Sequence, residues 1–266
     1  MNADSAALDL AELIVALLDW IPHPTAHQLR PILERWDPRH GFRPQFRALS
    51  RAGLAECRRT GRDTRISLTP KGRAAALGGL DPAARWSRPW DGQWRFLLFD
   101  LTGYQPGLRM RLWRWLRQGR LGCLQNSVWI SPDRLDTHSL PLRDLHLTPD
   151  ACTVIQGRPA PPDQDADLVR SAWDFTAIDT RYRQYLRAAE QGLDLASSRD
   201  VPPAQRRKWL RFQRLVWRQA LSLDPVLPSP LCPPSYLGRD AFESRAQVLA
   251  RWVESDLQAL GGVPAP

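Results

Sequence analysis

Trp90-Asp91-Gly92-Gln93-Trp94-Arg95-Phe96-Leu97-Leu98-Phe99-Asp100-Leu101 is the stretch that decides the reading of this chain. An apolar run ends in an acid, a basic amphipathic segment follows, and a second apolar run closes at Ser127-Val128-Trp129-Ile130-Ser131-Pro132. That order predicts strand, helix, strand. The first strand is expected over Trp94 to Leu101. The helix is expected from Pro106 to about Gln118, burying Leu108, Leu112, Trp115 and Leu116 and showing Arg109, Arg111, Arg114 and Arg117 elsewhere. A second strand is read over Leu121 to Ile130, a short helix near Leu140 to Leu145, and a third strand over Ala151 to Gly157. Strand-helix-strand-helix-strand at this length points to a ferredoxin-like α+β module over residues 86–160.

The flanks give this module its context. At 266 residues, with 43% hydrophobic residues, the chain is long enough for two or three domains with cores of their own. No apolar run reaches the length of about eighteen residues that a membrane span needs. Leu8 to Ile21 is apolar, but Asp4, Asp9 and Glu12 surround and interrupt it, which is not the pattern of a signal peptide. The expected location is cytoplasmic, with no membrane partner. Cys57, Cys123, Cys152 and Cys232 are too widely spaced for a CxxC or zinc pattern, and no metal-binding or catalytic set is expected. The formal net charge is +9, and only Lys71 and Lys208 among the basic residues are lysines. Such a surplus suits a polyanionic partner, and its distribution matters more than its size.

Within residues 1–80, more than the whole excess of positive charge lies between Arg39 and Arg73. Leu10, Leu13, Ile14, Leu17 and Leu18 recur at helical spacing until Pro22 and Pro24 stop them. Thr25 caps a second helix ending at Asp37-Pro38, and a third runs from near Pro44 to Gly53. Phe42, Phe46 and Leu49 share its inner face, and Arg43, Arg47 and Arg51, spaced by four, point outward. Two short strands around the turn Thr60-Gly61-Arg62-Asp63 follow, then Thr69-Pro70-Lys71-Gly72 opens a further helix. Three helices and a hairpin form the winged helix-turn-helix pattern. Between Arg39 and Arg73 stand ten basic residues and two acids, Glu56 and Asp63. The DNA-binding set read here is Arg43, Arg47 and Arg51 on the reading helix and Arg59, Arg62 and Arg65 on the wing. The competing reading is a protein-interaction module whose arginines form a solvated face.

Residues 164–266 read as an all-helical domain after Pro159-Ala160-Pro161-Pro162. One helix carries Leu168, Ala172, Trp173, Phe175, Ile178, Tyr182 and Tyr185; one runs from Pro203 to about Leu221; one runs from Asp240 to Leu260. Asp224-Pro225-Val226-Leu227-Pro228 is a rigid turn between the last two. Trp173, Tyr182, Trp217 and Arg218 are candidates for an effector pocket and equally for core. In the central module, Asp100 at a strand end is the one residue with metal chemistry in reach. Paired with its copy across a dimer axis, it would make a metal-dependent nuclease, which is the alternative function. Its simpler role is to cap the turn that follows.

Three stretches together resemble the PaaX family of bacterial transcription regulators. The first is Phe42-Arg43-Pro44-Gln45-Phe46-Arg47-Ala48-Leu49 through Gly53-Leu54, with Arg62 and Leu68-Thr69-Pro70-Lys71-Gly72 behind it. The second is Trp90-Asp91-Gly92-Gln93-Trp94-Arg95 with Phe99-Asp100 and Trp129-Ile130-Ser131-Pro132. The third is Ala172-Trp173-Asp174 with Tyr182, Trp217-Arg218 and Asp224-Pro225-Val226-Leu227-Pro228. Ala48 stands where the family pattern leads one to expect an arginine. The resemblance implies a homodimeric repressor of an aromatic-acid (phenylacetate-type) catabolic operon, bound to a double-stranded DNA operator and released by an acyl-CoA effector such as phenylacetyl-CoA. It implies no enzyme activity and no bound cofactor. It also implies that the central module is similar to the small ferredoxin-like CRISPR-associated nuclease and dimerisation subunit, and serves here for dimerisation and ligand sensing.

Overall fold

Ten α-helices and six strands occur among residues 3–18, 24–38, 41–61, 63–102, 107–135, 151–198 and 201–261, which are those the computed structural model describes. The architecture is mixed α+β with two small sheets. By contact, the chain divides into two units. One gathers Met1–Pro82, Thr180–Ser222 and Leu237–Pro266; the other gathers Ala83–Asp179 and Leu223–Tyr236. The three consecutive segments expected from the sequence, 1–80, 86–160 and 164–266, and these two units divide the chain differently.

The first unit opens with α1 (Ala3–Leu18), α2 (Ala26–Trp36) and α3 (Phe42–Arg51). Thr25 starts α2 with a reciprocal capping box to Gln28. A hairpin of β1 (Ala55–Thr60) and β2 (Asp63–Leu68) follows, then α4 (Pro70–Ala76). The hairpin is antiparallel, with Cys57 opposite Ile66 and Arg58 opposite Arg65. On its other side β2 bridges to Thr25, and the Ile66 amide donates to the Pro24 carbonyl at 2.9 Å. The same unit contains most of α8 (Phe175–Ala196) and of α9 (Pro203–Leu223), and α10 (Gly238–Ala259). Tyr182, Tyr185, Trp209, Trp217 and Trp252 are buried among them.

In the second unit, after the short α5 (Pro82–Trp86), β3 (Trp94–Phe99) is the centre of a four-stranded sheet with β4 (Gly122–Gln125), β5 (Val128–Ser131) and β6 (Cys152–Gly157). The order is β4-β5-β3-β6 and every pairing is antiparallel. Leu97 and Phe99 face α6 (Leu108–Gln118), where Leu108, Leu112 and Leu116 repeat at helical spacing and close the core with Leu121 and Trp129. Each such aliphatic side chain taken fully from water contributes about 1.5–3 kcal/mol. The single strand expected over Leu121 to Ile130 is instead a hairpin turning at Asn126-Ser127. The turn is held from outside: the Trp113 indole donates to the Asn126 carbonyl at 3.3 Å, and the Phe99 amide to the Ser127 carbonyl at 3.0 Å. The helix expected near Leu140 to Leu145 lies outside the described residues.

One helix was also expected through Leu168 and Tyr185. It is two, α7 (Asp165–Ala172) and α8. Trp173 adopts an extended backbone, and the Asp174 carboxylate accepts from the Ala177 amide at 2.9 Å, capping α8. Helical periodicity continues across the break, which is why the pattern does not reveal it.

Candidate nucleic-acid interface

α3 sorts its residues by face. Phe42, Gln45 and Leu49 are buried, Phe46 is half-buried and stacks on Phe42, and Arg43, Arg47 and Arg51 are exposed. Gln45 is the buried polar residue that the apolar pattern does not single out. The helix has no side-chain cap and no acid in its first turn. Arg43 therefore stands near the positive end of the helix dipole, and the arginines repeat at four-residue spacing, where like charges each cost about 0.2–0.5 kcal/mol. This arrangement is unfavourable for an isolated helix and favourable beside an anion.

The strand register sorts the hairpin arginines. Glu56 and Arg58 of β1 and Arg65 and Ser67 of β2 share one face; Ala55, Cys57 and Arg59 share the other with Ile66 and Leu68. Arg59 and Arg65 are both exposed but on opposite faces. Arg62 lies outside the described residues. Arg58, which the sequence reading passed over, stands directly opposite Arg65 and is exposed. Two like charges so paired repel across the strands. The signal that could have found Arg58 is the two-residue alternation counted back from the turn. Among the described residues, none of Arg43, Arg47, Arg51, Arg58, Arg59 and Arg65 makes an ion pair.

Leu68-Thr69-Pro70-Lys71-Gly72 fastens the end of α3. The Thr69 hydroxyl donates to the Gly53 carbonyl at 2.7 Å, the Thr69 amide to the Leu54 carbonyl at 3.0 Å, and the Lys71 ammonium to the Ala52 carbonyl at 3.0 Å. Gly72 lies so close that a Cβ there would stand 1.8 Å from the Leu54 oxygen. The motif thus ties the last turn of α3 to the start of α4 and fixes where the exposed arginines of α3 stand.

Buried charges tie this head to α9 and α10. Glu12 of α1 accepts from Arg214 at 2.9 Å, Arg245 at 2.7 Å and Gln213 at 3.3 Å, and Asp9 accepts from Arg214 at 2.6 Å. Burial pushes the Asp9 carboxyl above its ordinary range, against the pull of Arg214. Asp256 of α10 is fully buried and accepts from Trp36 at 2.7 Å, Arg35 at 2.8 Å and Arg206 at 2.6 Å. No spacing in the sequence points to partners about two hundred positions apart.

Two family models meet the second unit and the helices after it. That of the PaaX protein central Cas2-like domain matches residues 87–169, and that of the PaaX-like protein C-terminal domain matches residues 173–256. The chain belongs to the PaaX family. Its domains fit a transcriptional regulator rather than an enzyme. Among solved structures, this PaaX-family chain shares its fold with the uncharacterised protein Rv0674 of Mycobacterium tuberculosis. The identity is 22%, the TM-score 0.51, and the match covers 96% of this chain and 99% of that one. No curated protein matches it.

The stretch that carries the resemblance most specifically is structural in this PaaX-family chain. Asp91 and the buried Arg95 pair through two hydrogen bonds, at 2.8 and 2.5 Å, and Arg95 also donates to the carbonyls of Gln93 and Pro132. The Arg95 guanidinium, helped by the Gln93 amide, holds the Asp91 carboxyl down to about 2. Gly92 between them has a φ of +74°, which a side chain would strain. Asp224-Pro225-Val226-Leu227-Pro228 is buried throughout. Asp224 accepts from the Val226 amide at 2.7 Å and from the Tyr236 hydroxyl, which in turn accepts from the Trp86 indole at 3.1 Å.

Asp100 is exposed, and its Oδ1 accepts from the Thr102 hydroxyl at 2.6 Å and the Thr102 amide at 2.9 Å. These bonds hold its carboxyl below the ordinary range, and this is the capping role. Among the described residues, no three His, Cys, Asp or Glu side chains gather where they could hold a metal ion. Tyr182 and Trp217 pack together in the core of the first unit, Trp173 packs on Trp94 in the second, and Arg218 is exposed. Among the described residues, no helix is long and apolar enough to cross a membrane.

Proposed function

We propose that this PaaX-family chain is a DNA-binding transcriptional regulator whose first unit carries a winged helix-turn-helix head. The observation that supports this most is the exposed row Arg43, Arg47 and Arg51 on α3 beside a hairpin whose arginines have no carboxylate partner among the described residues. α3 is the reading helix, with Arg47 and Arg51 at guanine edges or phosphates. The hairpin is the wing, with Arg59, Arg62 and Arg65 on the backbone or in the minor groove. An isolated bridge from Thr25 to Arg65 fastens β2 to the start of α2.

The second unit is the ferredoxin-like module and serves as the dimer joint. The sheet face away from α6 carries Phe96, Leu98, Val128 and the exposed Ile155, an apolar surface suited to a second copy. A symmetric dimer presents two reading helices to a near-palindromic operator. The family resemblance supports the rest of the reading: repression of an aromatic-acid catabolic operon of the phenylacetate type, relieved by an acyl-CoA effector. Such an effector must bind the DNA-competent and DNA-free states unequally.

Genome-wide mapping of bound DNA identifies the operator and the genes beneath it. On that operator, Arg47→Ala with Arg51→Ala is expected to abolish specific binding while dimerisation and melting temperature stay unchanged. Full binding by that variant removes α3 from the reading role.

A further inference from the structure

α6 carries four arginines and no acid in its 11 residues, Leu-Arg-Met-Arg-Leu-Trp-Arg-Trp-Leu-Arg-Gln. Leu108, Leu112 and Leu116 take the buried stripe, and Arg109, Arg111, Arg114 and Arg117 are all exposed. At about 100° per residue, Arg111, Arg114 and Arg117 fall within one third of the helix circumference. Met110 stands among them, 57% exposed.

The row acts against the helix that bears it. The N-cap, Gly107, offers no side-chain bond, and the first turn holds no acid. Arg109 and Arg111 therefore put positive charge at the positive end of the dipole. Arg111, Arg114 and Arg117 follow at three-residue spacing, where like charges are neighbours. Part of this is offset: Arg117 lies over the Trp113 ring at 5.5 Å and the Trp129 ring at 6.0 Å, Arg109 faces the charge of Asp100, and Arg111 has an interaction of its own. Among the described residues, no ion pair joins Arg109, Arg114 or Arg117 to a carboxylate. A surface held at electrostatic cost needs an anionic occupant to be favourable.

We propose that this face of α6 binds the phosphate backbone of nucleic acid, as a contact surface separate from α3 and its hairpin. Phosphate suits it better than an acidic polypeptide does. An acidic helix docks through a row of apolar anchors, and the face offers it Met110 alone. A backbone contact needs only cations in a row and carries no sequence information.

The test is the salt dependence of binding by the full chain to a long duplex of arbitrary sequence. Arg114→Gln is expected to make the slope of log K against log salt shallower by about 1, equally on unrelated sequences. The same change is expected in an Arg47→Ala, Arg51→Ala background. This separates the two ideas: if α3 is not the reading helix, that background loses nothing, and the α6 change still shows. An unchanged slope overturns the proposal. The α6 variant is expected to melt at the same temperature or higher, because it removes self-repulsion. A lower melting temperature overturns the argument from electrostatic cost. Polyglutamate is the second probe. If the variant loses polyglutamate binding while its slope on DNA holds, an acidic protein is the partner and the nucleic-acid assignment falls.

Discussion

Replacing Glu12 by glutamine removes one negative charge from the joint between α1, α9 and α10 while keeping the size of the side chain. The Glu12 side chain is 1% exposed, and its cationic partners Arg214 and Arg245 are 10% and 2% exposed. In the variant Arg214 keeps one carboxylate, Asp9, whose own ionised form burial already disfavours, and Arg245 keeps its bond to the Ala76 carbonyl. Breaking a buried pair from one side leaves an uncompensated charge and costs about 3–5 kcal/mol. With a urea dependence of about 1–3 kcal/mol per molar, the unfolding midpoint is expected to fall by at least about 1 M. Asp9→Asn provides the contrast and is expected to cost less than Glu12→Gln. The sign follows from its raised pKa. The folded state keeps a proton that the unfolded state has lost, so the stability contributed at Asp9 falls as pH rises from the usual 3.8 through the raised value. Asp9→Asn removes that fall. A loss for Glu12→Gln below about 1 kcal/mol, or an Asp9→Asn variant weaker than it, refutes the reasoning that Glu12 neutralises both arginines.

Two further outcomes test other joints. Gly72→Ala drives a methyl group into the Leu54 carbonyl and is expected to cost about 1–3 kcal/mol, with weakened DNA binding; wild-type melting and wild-type affinity together would remove the clasp from the account. Asp91→Asn leaves the buried Arg95 without its carboxylate and is expected to lower the melting temperature at neutral pH. Because the Asp91 carboxyl is depressed, its contribution is full above 3.8 and is lost as pH falls towards 2; thermal melts over that window should show a smaller acid loss in the variant.

Local signals made much of the architecture legible. Helical spacing in Leu10, Leu13 and Ile14, the capping Thr25, the prolines, and the apolar run Phe96 to Phe99 placed elements close to where they stand, because each depends on neighbours within a turn or a strand. Two breaks went unread for the opposite reason. Asn126-Ser127 turns because Trp113 and β3 take up its carbonyls, and the kink at Trp173 is set by the Asp174 cap within a pattern that stays helical. In the candidate interface, the outward set on α3 followed from periodicity alone. On the hairpin, the opposition of Arg58 and Arg65 needed the register, which the position of the turn fixes.

Charge distribution, element order and family membership are therefore properties that the residues carry in their own order along the chain. The joining of α1 and α2 to α9 and α10 is not. Glu12 meets Arg245, and Asp256 meets Trp36 and Arg35, only because burial brings together side chains that no local pattern relates. A buried charge must find its counter-charge wherever the fold supplies it, and the partner's distance along the chain leaves no trace in composition, spacing or periodicity.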